Sequence, residues 1–200
     1  MSIAPSTAEK AAAADIIELN CAADGPPLRI PVGSGRTYHI VASGEAVSTR
    51  LAHEAMRSSA VERVPGHGGL LLGNSVLENI VLPAVYHGRI AGGQLAAAAY
   101  DAFDACGFDR AQADALCGRP IFTLDGFEQR LICLLRALLM RPAALLCERL
   151  FEGVPQHDME RIARFPGYYR RVIAQGTILF LDIAGMAQAQ VPVDLRVDAG

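Results

Sequence analysis

No apolar run in the sequence is long enough to cross a membrane. The longest, residues 131–146, is interrupted by Arg136 and Arg141, and a spanning helix needs about 20 consecutive apolar residues. The N-terminus also lacks the order of a secretion signal, because an acidic residue comes before its first apolar block. The sequence therefore predicts neither a transmembrane segment nor export.

Paired metal ligands and nucleophile motifs are missing as well. The cysteines never occur at C-x-x-C spacing, the histidines never occur at H-x-x-x-H spacing, and G-x-S-x-G is absent. Three cysteines lie inside apolar runs, which favours buried, reduced thiols in the cytosol over disulfides or zinc ligands. The five cysteines are Cys21, Cys106, Cys117, Cys133 and Cys147. We expect no metal site and no nucleophilic hydrolase.

An excess of positive charge is the third absence. The formal net charge is -3 and the isoelectric point is about 5.9, so the chain has no general attraction to nucleic acid or anionic lipid. What is present is a folded composition, with 52% apolar and 20% charged residues. The length of 200 residues suits one compact α/β domain, expected at 15–200 after a flexible tail at 1–14.

Short apolar segments alternate with helical patterns, which predicts a parallel sheet covered by helices. Ser75 and Glu78 form an S-x-x-E capping pattern at a helix start, and Pro83 is expected to end or kink that helix. Periodic leucines predict a long helix that ends before Pro142. The predicted strands are 15–21, 28–32, 36–42, 143–147, 176–182 and 191–197, and the predicted helices are 48–56, 75–87, 93–106, 109–116, 125–141 and 158–174.

Residues 124–154, LDGFEQRLICLLRALLMRPAALLCERLFEGV, resemble a defining stretch of ABC-transporter ATP-binding subunits, from the signature helix to the Walker B strand. Leu124 and Gly126 match the signature LSGGQ. The triplet 136–138 matches the Arg-Ala-Leu that ends the family's helix, and Pro142 matches the proline that precedes its apolar strand. The match is therefore position by position.

The resemblance extends over most of the chain. Residues 41–51, VASGEAVSTRL, are similar to the family's P-loop sequence GPSGSGKSTLL, and 75–83, SVLENIVLP, are similar to its TVLENVALP segment. Residues 177–185, TILFLDIAG, resemble the strand that leads to the switch histidine. The similarity covers roughly residues 15 to 185.

This resemblance implies a P-loop NTPase-like, three-layer α/β fold with a mostly parallel sheet and an inserted helical subdomain at about 74–125. It also implies a cytoplasmic protein peripheral to the inner membrane, in a homo- or heterodimer with a second ATP-binding subunit, with an ABC permease subunit, or with both. By resemblance, 74–83 lies in the region that docks on the permease. Within the family, the sequence of these motifs resembles the ATP-binding subunits of MCE/Mla-type lipid transporters.

The groups that bind ATP in this family are largely replaced. The P-loop glycines and lysine of G-x-x-x-x-G-K align with Val41, Ala46 and Val47, which removes the phosphate cradle and its charge. Ser48 aligns with the hydroxyl that binds Mg²⁺, although it could equally be an ordinary helix cap. The remaining candidates for nucleotide binding, at degenerate Walker A and B positions, are Gly44, Ser48, Thr49 and Glu148.

The groups that split ATP are replaced too. The Walker B carboxylates align with Glu148 and Arg149, and an arginine cannot accept a proton as a general base. Glu148 could instead pair with Arg149 or with a nearby base at a strand end. In the signature loop, Asp125 and Phe127 are expected to face and repel an incoming anion, unless Asp125 is simply a helix cap. The Q-loop, D-loop and switch positions hold Gly66 or His67, Pro155 and Ile183.

Three interpretations follow. The first is an ABC nucleotide-binding-domain-like subunit that has lost its hydrolysis residues, a pseudo-ATPase with no catalytic residue and no tightly bound ATP or Mg²⁺, acting as a structural or regulatory part of a transport complex. The second is an ATP-binding subunit that completes a composite site with an active partner. The third is a binding module outside transport.

One basic and aromatic set is separate from these motifs. Four arginines and two tyrosines fall within the helix predicted at 158–174, and they could contact phosphate or a protein partner or simply form a solvated helix face. The set comprises Arg161, Arg164, Tyr168, Tyr169, Arg170 and Arg171.

Overall fold

The computed structural model describes residues 15–22, 24–186 and 191–200, so the predicted tail at 1–14 lies outside the described residues. A hairpin of β1 (Ile16–Leu19) and β2 (Leu28–Pro31) is antiparallel. The main sheet has the order β4-β5-β6-β3-β7, and every neighbouring pair in it is parallel, which confirms the predicted parallel sheet. Its strands are β3 (Thr37–Ala42), β4 (Val61–Pro65), β5 (Ala144–Glu148), β6 (Thr177–Ile183) and β7 (Leu195–Ala199).

Helices cover both faces of this sheet. The α-helices are α1 (Glu45–Ala55), α2 (Val76–Tyr86), α3 (Leu95–Ala105), α4 (Arg110–Cys117), α5 (Gly126–Met140), α6 (Gln156–Ile162) and α7 (Phe165–Val172). Alternate residues of β5 enter two cores: Leu145 and Cys147 pack among the helices from α2 to α7, whereas Leu146 packs with α1 and the hairpin. The result is a three-layer α/β fold, because successive side chains of a strand point to opposite faces.

The helix α5 is the centre of the larger core. Ten of its residues are buried, including Leu131, Leu134 and Leu135, which are fully inaccessible. The helix ends at Arg141, whose backbone is left-handed at φ 49°, and Pro142 follows immediately. The periodic leucines therefore place one long helix between the sheet and α2, as the sequence predicts.

The helical segment between β4 and α5 begins as predicted, and Pro83 does not end the helix. The Ser75 hydroxyl accepts from the Glu78 amide at 3.2 Å, and the Glu78 carboxylate accepts from the Ser75 amide at 2.7 Å, which completes the capping box. However, α2 continues three residues past Pro83 to Tyr86. The buried face of α2 includes Ile80 and packs on α5, and this packing offsets the one backbone hydrogen bond that a proline removes.

Two further elements differ from expectation. The single helix predicted at 158–174 is two helices, α6 and α7, because Pro166 has no amide hydrogen to continue α6 and suits the first turn of a new helix instead. The basic and aromatic set is accordingly divided: Tyr169 is fully buried, and its hydroxyl donates to the Pro142 carbonyl at 2.8 Å. The edge strand expected at 191–197 is β7, shifted toward the C-terminus and paired with β3.

Candidate functional site

The site is the strand-to-helix bend that follows β3, where the resemblance to a P-loop falls. β3 ends at Ala42, and Gly44 is the N-cap of α1 with an extended backbone at φ -176° and ψ 178°. A Cβ added at Gly44 would meet no atom within 4 Å, so the bend is open on this side. The first turn of α1 begins with Glu45 and therefore places a carboxylate at the positive end of the helix.

Ser48 lies inside α1 and is 1% exposed, and its hydroxyl oxygen has no hydrogen-bond partner among the described residues. The expectation that Ser48 caps the helix is wrong, because Gly44 occupies the N-cap and α1 starts three residues earlier than predicted. A buried hydroxyl without a partner costs free energy, typically about 1–3 kcal/mol. A bound ligand could supply the missing hydrogen bond to the Ser48 hydroxyl. This hydroxyl is therefore the polar group of the bend that favours ligand binding.

A cavity of about 240 Å³ lies beside the bend, between α1 and the carboxyl ends of β4 and β5. Of the four candidate residues, Thr49 and Glu148 line it, whereas Gly44 and Ser48 do not. The cavity thus unites two of the predicted positions from segments about a hundred residues apart in the chain. Its lining also includes His67, one of the two positions that align with the family's Q-loop glutamine.

Charged groups at this cavity are already paired within the chain. Glu148 Oε2 lies 2.5 Å from Arg63 Nε, an ion pair whose atoms are not aligned as a hydrogen bond. This confirms the interpretation that Glu148 pairs with a nearby base. Arg149 donates from Nη1 to Glu45 Oε1 at 2.6 Å and from Nε to Glu152 Oε2 at 2.5 Å. It therefore bridges the first turn of α1 and the segment after β5.

These contacts shift the acid–base properties of the groups. The hydrogen bond from Arg149, opposed by partial burial, holds the pKa of Glu152 below its usual range. The same hydrogen bond raises the pKa of Arg149 further above the ordinary value of a guanidinium. Arg149 thus remains a cation at every physiological pH, and it has no acceptor atom with which to take a proton from water.

The backbone beside the cavity is tightly packed. The Gly66 amide donates to the Glu148 carbonyl at 2.7 Å, and a Cβ added at Gly66 would lie 2.0 Å from the Arg149 carbonyl oxygen. Arg149 itself has a left-handed backbone at φ 51°. Only a glycine at position 66 lets the chains after β4 and β5 approach so closely.

The loop that resembles the ABC signature is built for helix capping. The Asp125 carboxylate accepts from the Glu128 amide at 2.7 Å, and the Glu128 carboxylate accepts from the Asp125 amide at 2.8 Å. The alternative that Asp125 is an N-cap is therefore confirmed. Phe127 is 3% exposed and packs 6.0 Å from the Phe165 ring, with the Arg161 guanidinium stacked on it. The expectation that this ring faces an incoming anion is wrong.

Three features of the site escaped the sequence reasoning. Arg149 bridges two carboxylates, and nothing in its neighbours along the chain indicates that Glu45 would be one of them. His39 on β3 is hydrogen-bonded to Asp182 on β6 at 3.0 Å, and both side chains are buried. The third feature is that the described part of the chain has no lysine to replace the missing P-loop lysine. This could have been found from the sequence, because the chain contains a single lysine, Lys10.

No protein-family model matches the chain, and no curated protein matches it. Comparison with solved structures gives ABC ATP-binding cassettes. A metal-chelate type ABC transporter in an inward-facing conformation aligns with a TM-score of 0.62 and 14% identity over 78% of this chain. The alignment covers 65% of that protein's chain, so the present chain spans less than two thirds of its length.

Two further structures agree with this. cbiO1 from Clostridium perfringens, part of the ABC transporter complex cbiONQ, has a TM-score of 0.60 at 13% identity, over 83% of this chain and 75% of that one. The dimeric ATP-binding cassette MJ0796, bound to ADP and Pi, has a TM-score of 0.56 at 13% identity, over 78% of each chain. Identities this low show the fold alone. The chain has the P-loop NTPase-type α/β fold of ABC-transporter ATP-binding cassettes.

Proposed function

We propose that this chain is an ABC nucleotide-binding-domain-like subunit that has lost ATP hydrolysis and serves as a structural or regulatory component of a membrane transport complex. The observation that carries the proposal is the Arg149 bridge between Glu45 and Glu152, which holds the first turn of α1, the part of the chain that follows the P-loop-like sequence. The residues present do not fit a magnesium triphosphate, either in charge or in chemistry.

Charge argues against phosphate binding at the bend. A helix N-terminus attracts anions because of its free amides and its dipole, but Glu45 already places a carboxylate in the first turn of α1. The nearby cations, Arg63 and Arg149, are each neutralised by a carboxylate of the chain. An incoming triphosphate would have to displace these pairs, and no lysine among the described residues would replace them.

The chemistry of hydrolysis is missing as well. The position after Glu148 holds Arg149, a permanent cation that cannot polarise water by accepting its proton. Glu148 retains a carboxylate, but that carboxylate is ion-paired to Arg63. The switch position holds Ile183, which has no polar side-chain atom. The position after Glu148 and the switch position therefore offer no side-chain group that could accept the proton of an attacking water.

A partner surface is supported by α2. We assign the segment at about 74–125, which contains α2, α3 and α4, to the inserted helical subdomain. Leu72, Val85 and Tyr86 in and before α2 are 72%, 50% and 84% exposed, and large exposed apolar side chains in one region are typical of interaction sites. The solved relative cbiO1 is part of an ABC transporter complex. We therefore propose that an ABC permease subunit, a second ATP-binding subunit, or both bind this chain.

Location and cargo follow from the same proposal. No helix in the described part of the chain is long and apolar enough to cross a bilayer. By the resemblance to ABC ATP-binding subunits, a permease partner would hold the chain at the cytoplasmic side of the inner membrane. The similarity to MCE/Mla-type subunits favours a lipid as the transported molecule, and this placement rests on sequence resemblance only.

The first experiment measures nucleotide binding by calorimetry on the purified chain, with and without Mg²⁺. We expect no saturable ATP binding below the millimolar range. The matched variant restores the P-loop with Val41→Gly, Ala46→Gly and Val47→Lys and removes the bridge with Arg149→Glu, and it should gain binding if the fold is otherwise intact. Tight ATP binding by the unmodified chain would contradict the proposal.

The second experiment tests the partner surface by affinity purification from the native host. We expect a permease or ATPase subunit to be recovered with the chain, and Tyr86→Glu to reduce that recovery. Met56→Glu is the matched control, because Met56 is 40% exposed but lies at the end of α1, outside the segment at about 74–125. Recovery of the chain free of any such subunit would count heavily against a transport role.

The composite-site interpretation has one observation in its favour, the unpartnered hydroxyl of Ser48. It is tested by ATP turnover of the chain reconstituted with its partner. Asp125→Ser is the suitable change, because serine preserves the N-cap, whereas replacing Phe127 would open the core. A large gain in turnover would place this loop at nucleotide, and no change favours the structural role.

A further inference from the structure

A second cavity, of about 860 Å³, lies between α3 and the C-terminal ends of α5 and α7. It shares no lining residue with the cavity beside the bend, so an inference about it does not depend on the proposed function. Its volume falls within the range of about 300–1,000 Å³ that is typical of small-molecule sites. The residues that line it fall into an apolar floor and a charged rim.

The floor exists because α3 is rich in alanine. The residues that α3 and its preceding turn contribute, from Gln94 to Ala102, are spaced by three and four positions and so form one face of the helix. Ala97, Ala98 and Ala102 contribute only methyl groups to this face. Leu138, Leu139 and Val172 close the opposite side. Small side chains facing large ones leave a groove whose walls are partly apolar, with Gln94 and Asp101 on the same face of α3 as the alanines.

The rim is positively charged. Arg89, Arg141 and Arg171 line the cavity and come from three separate segments, the ends of α2, α5 and α7. Among the described lining residues, Asp101 is the acidic one, which leaves a formal charge of +2 in a chain whose net charge is -3. The local excess of cations therefore runs against the charge of the whole molecule.

In the part of the chain that the structure describes, none of these three arginines forms an ion pair with an acid. Arg171 donates from Nη1 to the Ala105 carbonyl at 3.0 Å, which holds its guanidinium at the C-terminal end of α3. Within the described residues, the guanidinium groups of Arg89 and Arg141 form no ion pair and no hydrogen bond, although Glu62 in the adjoining recess attracts Arg89. Arg141 also has a left-handed backbone at φ 49°, a conformation that favours glycine.

We propose that this cavity binds an anionic amphiphile, a phosphate monoester that carries a single alkyl chain. The head would be bound by Arg89, Arg141 and Arg171, because guanidinium groups match the oxygens of phosphate and the +2 charge matches a monoester with about -1.5 to -2 charges at neutral pH. The alkyl chain would lie along the alanine face of α3. An apolar floor with a few convergent polar groups is the usual composition of such a site.

The experiment is calorimetric titration of the full chain with dodecyl phosphate below its micelle concentration. We expect saturable binding, and each methylene added from octyl to dodecyl phosphate should strengthen it by up to about fourfold. Inorganic phosphate alone should bind far more weakly, and dodecyltrimethylammonium should not bind. Equal binding of the ammonium compound, or binding of anionic vesicles without binding of the monomer, would overturn the proposal.

Two pairs of variants locate the site. Arg141→Gly should weaken dodecyl phosphate about tenfold while the chain stays folded, since glycine adopts the left-handed backbone without strain. Arg57→Ala, which removes an arginine outside the cavity, should change nothing. Ala98→Leu fills the groove and should abolish the dependence on chain length, whereas Ala96→Leu on another face of α3 should preserve it. Unchanged binding by both Arg141→Gly and Ala98→Leu would place the ligand elsewhere and overturn the proposal.

Discussion

Two regions resemble ABC ATP-binding subunits in sequence: the seam, which is α5, β5 and the loop after β5 (residues 126–152), and the bend from the end of β3 into α1 (residues 42–48). They differ in whether their buried polar groups have hydrogen-bond partners. In the seam, the buried Arg130 donates to the carbonyl oxygens of Leu150 at 2.8 Å, Gly126 at 2.8 Å and Glu152 at 2.5 Å. In the bend, the equally buried Ser48 hydroxyl has no partner among the described residues.

The difference separates what folding requires from what ligand binding requires. A buried charged group survives only where the fold satisfies it, so Arg130 fixes the loop after β5 as part of the core. In the bend, the fold provides no such partner for Ser48 within the described residues, in line with the proposed loss of phosphate-binding side chains. A chain can thus retain the geometry of a nucleotide-binding fold while its charges pair with one another, and four changes test how far the two regions differ.

The largest effect is expected in the seam. Arg130→Ala removes the side-chain donor of the Leu150 and Glu152 carbonyls and opens a cavity in the core, so it should lower the free energy of unfolding by more than about 3 kcal/mol. Urea denaturation measures this. The control is Arg110→Ala, which removes an exposed pair with Asp114 and should cost less than about 0.5 kcal/mol. Similar losses in the two variants would mean that Arg130 is not structural.

The next effect concerns the close approach of two loops at the bend cavity. Gly66→Ala places a methyl group against the Arg149 carbonyl and should cost about 2 kcal/mol, by the same measurement. Gly44→Ser, at an open position, should instead stabilise α1 by about a few tenths of a kcal/mol, because serine is the better N-cap. Tolerance of Gly66→Ala would show that the two loops can separate.

A smaller effect is the pH dependence of the Arg149 bridge. The pKa of Glu152 is lowered in the folded chain, so its contribution is present above the ordinary glutamate pKa of about 4.5 and is lost as the pH falls through the lower folded value. Arg149→Met should reduce stability at pH 7 by about 1 kcal/mol or less and flatten the dependence on pH below about 4.5. Unfolding curves from pH 7 to 3 would contradict this if the two slopes were equal.

The smallest effect is expected at the unpartnered hydroxyl. Ser48→Ala removes a buried polar atom that has no partner within the described chain, so stability should stay within about 0.5 kcal/mol of the unmodified chain or rise. Thermal unfolding is a sufficient measurement. Thr177→Val is the contrast, because the Thr177 hydroxyl donates to the Pro31 carbonyl at 3.0 Å and its loss should destabilise the chain. A clear loss of stability in Ser48→Ala would indicate a bound partner in solution.

The fold was largely predictable, because it depends on patterns that extend over many residues. The leucine period of α5, the apolar runs of β5 and β6 and the capping box at Ser75 each specify local structure, and alternation of such elements specifies a parallel sheet. The misplaced parts are local exceptions: Pro83 is tolerated because of packing that the sequence does not display, and β7 is short and half-exposed, so its register is weakly encoded.

The site was only partly predictable, because it depends on pairs that are distant in sequence. The sequence identifies Thr49 and Glu148, and both line the cavity. It could not assign Arg63 to Glu148 or Glu45 to Arg149, since those pairs form only when β4, β5 and α1 are brought to one edge of the sheet. Whether a side chain such as Phe127 faces solvent or core also depends on a distant neighbour, in this case Phe165.

Glu152 accepts hydrogen bonds from two arginines, one at its main-chain carbonyl and one at its carboxylate, and the two bonds respond differently to a fall in pH. Its main-chain carbonyl accepts from the buried Arg130, which keeps its proton, while its carboxylate binds Arg149 and can be protonated. Acidification would therefore release the Arg149 side chain from Glu152 while the loop stays anchored to the interior. The wall of the small cavity could loosen in this way before the rest of the molecule begins to unfold.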